Sequence, residues 1–139
     1  MVSEEEVKKW VVSWLKSIDY KIVSVSGARG APSQKHGKGR KPLAVTQPDI
    51  KARKGTDYYF VEAKGDPASI TNLYTAIGQI VTKMVAATPT KFAIALSPSY
   101  KQYLHLFPPE VQRKFKIKIL MPETEKKRLP EVIEIPKIE

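Results

Sequence analysis

Three side chains in this sequence could act on the same atoms. Asp49 follows Pro48, and after twelve intervening residues come Glu62 and Lys64, separated by Ala63. Two carboxylates offer hard oxygen ligands. An incomplete oxygen set suits Mg²⁺, which keeps several waters and shares its coordination sphere with substrate phosphate. Such chemistry requires the three groups to converge, and the local sequence provides a means. Residues 49–53 can form one strand, and residues 58–64, rich in aromatic and β-branched side chains, a second. Lys54-Gly55-Thr56 between them reads as a three-residue hairpin loop. With Arg53 opposite Asp57, Asp49 falls opposite Val61 and beside Glu62. Side chains alternate along a strand, so Glu62 and Lys64 point the same way. A plainer reading stands beside this one. Pro-Asp opens turns, and Glu62 with Lys64 can be a solvated pair on an exposed sheet surface. Against it, Tyr59, Phe60, Val61 and Ala63 make the strand largely apolar, and charges inside such a strand are costly unless paired.

The elements needed to hold the hairpin are visible in the periodicity. Residues 4–18 read as an amphipathic helix with Val7, Trp10, Val11, Trp14, Leu15 and Ile18 on one stripe. Residues 20–25 form a first strand, and 26–46 a long loop rich in Gly, Pro and Lys. Residues 67–87 suit a second helix, with Pro67 near its start and Pro89 just past its end. A buried strand over 91–96, a short helix over 99–107 ended by Pro108-Pro109, and a strand over 116–121 follow. Residues 1–121 thus make one domain, and 122–139 an appendage whose Val132, Ile133 and Ile135 can add an edge strand.

The Pro48-Asp49, Glu62-Ala63-Lys64 pattern resembles the PD-(D/E)xK nuclease superfamily, which includes many restriction endonucleases and the archaeal Holliday junction resolvases. The resemblance covers roughly residues 1 to 121. It implies an α/β fold with a restriction-endonuclease-like core, a central mixed β-sheet flanked by helices. It further implies a metal-dependent DNA endonuclease that is junction-resolving or restriction-like. Asp49, Glu62 and the backbone carbonyl of Ala63 would hold Mg²⁺ or Mn²⁺, and Lys64 would orient the attacking water. Members of this superfamily often place one more carboxylate on the first helix. Ser3 and Glu6 have capping-box spacing, and Glu5 projects away from the apolar stripe, so Glu4 is the candidate. Its alternative role is to complement the helix dipole. Some members also carry a Gln on the helix after Glu-x-Lys, which here is Gln79. Gln79 projects opposite the stripe of Ile70, Leu73, Ile77, Ile80, Val81 and Met84, beside Asn72, Ala76 and Lys83. It is either on the rim of the cleft or an ordinary surface residue.

Composition points to the same class of partner. The chain has 139 residues, enough for one domain, and a net charge of +10 that favours a polyanion such as DNA. From Arg29 to Lys54 there are eight basic residues and one acid, Asp49. A phosphate backbone drawn to Arg29, Lys35, Lys38, Arg40, Lys41, Lys51 and Arg53 would arrive at that acid. The absence of cysteine excludes a disulfide framework and a Cys-based zinc site. His36 and His105 stand apart, without metal-ligand spacing. The glycines of the 26–46 loop lack a Gly-Lys-Ser/Thr, which excludes a nucleotide P-loop. No apolar run is long enough to span a membrane, and the acidic start is no signal peptide. A cytoplasmic, soluble protein without a small-molecule cofactor is expected. Because both strands of a duplex or junction need cutting, a homodimer is expected too. Its candidate surfaces are Tyr100, Tyr103, Leu104, Leu106 and Phe107, and the 132–135 tail. The alternative reading is a non-catalytic basic protein that binds nucleic acid.

Overall fold

The computed structural model describes residues 1–26, 47–84, 89–122 and 132–135. Helix α1 (Glu4–Ser17) begins at a complete capping box. Glu6 N donates to Ser3 Oγ at 3.1 Å, and Ser3 N donates to Glu6 Oε1 at 3.0 Å. The strands are β1 (Lys21–Val25), β2 (Ile50–Lys54), β3 (Asp57–Lys64), β4 (Thr90–Leu96), β5 (Ile117–Pro122) and β6 (Val132–Ile135). Helix α2 (Ile70–Val81) joins β3 to β4; a 3-10 helix (Pro98–Leu106) and α3 (Pro109–Phe115) join β4 to β5.

The strands form one six-stranded sheet in sequence order. The β1–β2–β3 meander is antiparallel, β3, β4 and β5 run parallel, and β6 closes the far edge antiparallel to β5. This is the α/β fold with a mixed sheet flanked by helices that the resemblance implies. Both sheet faces are covered, which explains the nearly continuous apolar run of β4 and β5. On one face Tyr59, Val61, Ala63, Ala93, Ala95 and Leu120 meet Val7, Val11 and Leu15 of α1. On the other, Phe60, Phe92, Ile94, Leu96, Ile117 and Ile119 meet Leu73, Ala76 and Ile80 of α2. Each fully buried Leu or Ile here contributes about 1.5–3 kcal/mol. Among the described residues, no helix is long and apolar enough to cross a membrane.

Four expectations are corrected by the fold. The hairpin loop is two residues rather than three: Lys54 pairs with Asp57, and Ile50 rather than Asp49 lies opposite Val61. Gly55, at φ 64°, makes this possible, since a positive φ at the first loop position is the type II′ pattern that matches strand twist. The second helix starts at Ile70, because Ser69 caps it by accepting from Asn72 N and Pro67 lies outside, in a cis peptide bond with Asp66. The short helix does end before Pro108-Pro109, but Pro109 also opens α3, a helix the periodicity does not predict, in whose first turn its missing N–H is no loss. Finally, Tyr100 and Phe107 are buried, with Tyr103 and Leu104 packed on the α2 side of the sheet. Tyr100 and Phe107 thus serve the core, while Tyr103, Leu104 and Leu106 are half-buried.

Candidate active site

Asp49 stands immediately before β2, and the pairing of Ile50 with Val61 brings it level with Glu62. Ser26 N donates to the Asp49 carbonyl at 2.7 Å, tying the end of β1 to this point. Beyond Ile50 the β2 ladder stops, and the Ala63 N–H would lose its strand partner. The Asp49 carboxylate takes its place: Ala63 N donates to Asp49 Oδ2 at 2.9 Å. Ser26 Oγ donates to the other oxygen, Oδ1, at 3.4 Å. The catalytic candidate therefore also completes the β2–β3 ladder at its end.

Glu62 lies in the layer between sheet and α2 and is only 2 % exposed. Its carboxyl is pushed up to about 7, first by burial and then by the neighbouring Asp49 carboxylate, with Lys83 partly opposing both. Lys64, two residues on, shares that strand face and is half-buried. Among the described residues its ammonium is in no ion pair.

Lys83 was missed by sequence reasoning. Its Nζ lies 3.3 Å from Glu62 Oε2, and the side chain is almost wholly buried. The apolar stripe of α2 predicts that Asn72, Ala76, Gln79 and Lys83 face away from the core. Instead the buried row is Leu73, Ala76, Ile80 and Lys83, while Ile70, Tyr74 and Val81 are 41 %, 55 % and 40 % exposed. The helix is rolled toward its polar side because the sheet beneath presents a buried carboxylate that needs a cation. One signal was legible: Leu73, Ala76, Ile80 and Lys83 follow the helical 3-4-3 spacing. Gln79 is accordingly half-buried rather than on the surface. Its side-chain Oε1 is buried without a partner, and its main-chain oxygen accepts from Lys83 Nζ at 3.0 Å.

Glu4 reaches the neighbourhood by a different route. Gly65 ends β3 against the backbone of Ser3 and Glu4, an approach so close that any Cβ on residue 65 would collide with it. Asp66 N donates to Val2 O at 2.7 Å, and Val2 N donates to Asp66 Oδ2 at 2.8 Å. The first residues are thereby stitched to the end of the motif strand. Hydrogen bonds from Ser99, Val2 and Ser97 hold the Asp66 carboxyl below its ordinary range, although burial opposes them. Yet the Glu4 carboxylate is 43 % exposed and pairs with Lys8 at 3.4 Å. It does not join Asp49 and Glu62: among the described residues, no three His, Cys, Asp or Glu side chains cluster as a metal site.

Of the basic candidates, Lys51 and Arg53 alternate with Ile50 and Ala52 and so share the face of β2 that carries Asp49. Helix α2 packs on β3 and β4, which leaves this part of β2 accessible. Lys51 Nζ sits 5.3 Å from the Tyr58 ring centre and 5.8 Å from that of Phe60. Arg53 is exposed. Arg29, Lys35, Lys38, Arg40 and Lys41 lie outside the described residues.

Two solved structures share this architecture. One is an FdxN element excision controlling factor protein from Anabaena variabilis, 20 % identical, with a TM-score of 0.55 over 88 % of this chain and 93 % of that one. The other is an XisH family protein from Nostoc punctiforme, 18 % identical, with a TM-score of 0.54 over 87 % of this chain and 93 % of that one. The likeness shows the fold. No protein-family model matches the chain, and no curated protein matches it by sequence.

The site's donor set fits a divalent cation on its own chemistry. Two adjacent carboxylates, one of them raised first by burial and then by the other, face a single ion-paired ammonium among the described residues, that of Lys83. The orphaned Gln79 Oε1 nearby in the sequence of α2 is a further acceptor without a donor.

Proposed function

We propose that this protein is a metal-dependent endodeoxyribonuclease of the PD-(D/E)xK type, hydrolysing phosphodiester bonds in DNA. The observation that carries the reading is the meeting of Asp49 and Glu62 at the point where β2 begins, with Lys64 in the same row of β3. Asp49, Glu62 and the Ala63 carbonyl would hold the cation. Mg²⁺ or Mn²⁺ bound there would supply Lewis acidity toward the scissile phosphate and lower the pKa of the attacking water. Lys64 orients that water and offsets negative charge developing on the phosphate, as a preorganised cation in a half-buried site does best. Asp49, anchored by the Ala63 N–H, keeps its orientation without help from substrate. Lys21, paired with Arg53 across β1 and β2, extends the basic face of Lys51 and Arg53 beside the site. With the 29–41 segment it suits a phosphate backbone, which confers affinity without sequence information. One neighbour of the same fold is named for control of an element's excision, which accords with a role in DNA processing.

A second copy is part of the proposal, since one site cuts one strand. The stripe of Ile70, Tyr74 and Val81 on the outer side of α2 is the exposed apolar surface assigned to it. A second reading, a non-catalytic DNA-binding protein, draws on the Glu62–Lys83 ion pair, which neutralises the buried carboxylate without a metal. Cleavage assays decide between them. Supercoiled plasmid and four-way junction DNA should be cut with Mg²⁺ or Mn²⁺ and left intact in EDTA. Asp49→Ala and Glu62→Ala should abolish cutting while retaining DNA binding. Binding without cutting in the parent protein on either substrate would favour the second reading; full activity in either variant would sink the first.

A further inference from the structure

Lys83 occupies a position that neither the apolar pattern of α2 nor the phosphodiesterase reading requires to be lysine. It is 3 % exposed, and burying an ammonium is costly unless it is paired and hydrogen-bonded. Two of its donors are accounted for, by Glu62 Oε2 at 3.3 Å and Gln79 O at 3.0 Å. Its partner is therefore one of the two carboxylates that the site offers to a metal. Among the described residues Glu62 has no other ion pair.

We propose that Lys83 is a placeholder cation: its ammonium holds Glu62 in the metal-free protein, and a divalent metal takes that carboxylate by displacing it. The inference rests on the metal reading of the site. Its mechanical basis is the position of Lys83 past the end of α2, in the turn formed by Thr82, Lys83 and Met84. Its backbone N–H donates to Ile80 O at 3.0 Å, and the flanking Thr82 N and Met84 N donate to Gly78 O and Val81 O, each at 3.1 Å. A four-carbon stem at a helix terminus can swing its head out of the layer with little disturbance to Leu73, Ala76 and Ile80 beneath. Lysine suits the task better than arginine, since a compact point charge occupies the place of an ion and binds through no fixed fork. Gln79, one turn earlier, gives the ammonium its main-chain oxygen, while its buried side-chain oxygen has no hydrogen-bond partner.

Mn²⁺ titration by calorimetry on the full chain, at pH 8 and without DNA, tests the proposal. Lys83→Met and Lys83→Gln should each bind Mn²⁺ at least tenfold more tightly than the parent. Each should melt lower in EDTA and regain the loss when Mn²⁺ is added. If both bind no more tightly than the parent, the placeholder role is overturned while the metal site stands. If neither the parent nor the lysine variants bind Mn²⁺, the metal reading fails and takes this inference with it. A measurement on the unaltered protein covers variants that do not fold. In ¹⁵N-lysine spectra the Lys83 Nζ signal should be protected in EDTA and lost to solvent exchange when Mg²⁺ saturates the site. A protected signal at an unchanged shift in saturating Mg²⁺ would equally overturn the proposal.

Discussion

Glu62 shows how much a single residue's environment can store. Its carboxyl sits at about 7 in the folded chain against an ordinary value of 4.5, chiefly through burial and secondarily through Asp49. A folded value above the unfolded one means that the group's contribution to stability is fully present below about pH 4.5. It is lost as the pH rises to about 7, because ionisation is easier in the unfolded chain. The metal-free protein should therefore lose melting temperature between those limits, and Glu62→Gln should flatten the profile. An equally steep profile in Glu62→Gln would place the titration elsewhere. Lys64 belongs to the same scale. Lys64→Ala should lower the cleavage rate by about 10²–10³ with DNA affinity little changed, the loss typical of one preorganised charge in a transition state. Lys64→Arg should recover only part of it, because a planar guanidinium does not reproduce a point charge. Single-turnover kinetics check both. Asp49, Glu62 and Lys64 were legible in the sequence because residue type and spacing alone nominate them. Lys83 was not, since its role depends on which side of α2 meets the sheet.

Three elements bring these residues together: a hairpin, a glycine and a rolled helix. The two-residue turn at Gly55-Thr56 sets the register that levels Asp49 with Glu62, and a slip of one residue would send Asp49 to the opposite face. Sequence reasoning expected a longer loop because Lys54, Gly55 and Thr56 all suit turns; the positive φ of Gly55 let a shorter one form. At Gly65 the backbone of Ser3 and Glu4 leaves no room for a Cβ, and the facing atoms are main chain, which cannot step aside. Gly65→Ala should cost about 1–3 kcal/mol, the range of overpacking in a closed core. It should also loosen the first turn of α1 and lower cleavage through the displaced motif strand. Denaturant unfolding and hydrogen exchange of the α1 amides measure these effects; an unchanged midpoint would show that the N-terminal segment is loosely held. The roll of α2 was hidden from periodicity because hydrophobic stripe and buried face coincide only when the surface below is apolar. Here it contains Glu62.

The whole molecule adds charge and assembly. A net charge of +10 favours a polyanionic partner, and the proposal places it on the open β2 face. Replacing Lys35, Lys38, Arg40 and Lys41 together by Ala should weaken DNA binding with little change in melting temperature. The log–log salt slope should become shallower by about 0.9 for each phosphate no longer neutralised. A salt slope equal to the parent's would remove that segment from the interface. For assembly, the α2 stripe replaces the buried Tyr100 and Phe107 segment as the surface to test. Tyr74→Glu with Val81→Glu should convert a dimer to a monomer in sedimentation velocity, and should turn paired nicks into single ones on a junction. A parent protein that sediments as a monomer at micromolar concentration, free and on DNA, would end the dimer proposal.

By itself the sequence determined what kinds of groups are present and which lie within one or two turns of chain. The acid-acid-lysine set, the hairpin that carries it, the capping box at Ser3 and Glu6, and the apolar character of β3 and β4 all follow from local sequence. Tertiary structure decided what those groups face. The burial that lifts Glu62, the pairing of Glu62 with Lys83 and the separation of Glu4 from the two carboxylates depend on packing between residues distant in the chain. Hydrophobic periodicity records how much of an element is buried but not the polarity of what it is buried against. Over a buried carboxylate, α2 keeps Leu73 and Ile80 inside but turns Ala76 and Lys83 inward in place of Ile70 and Val81.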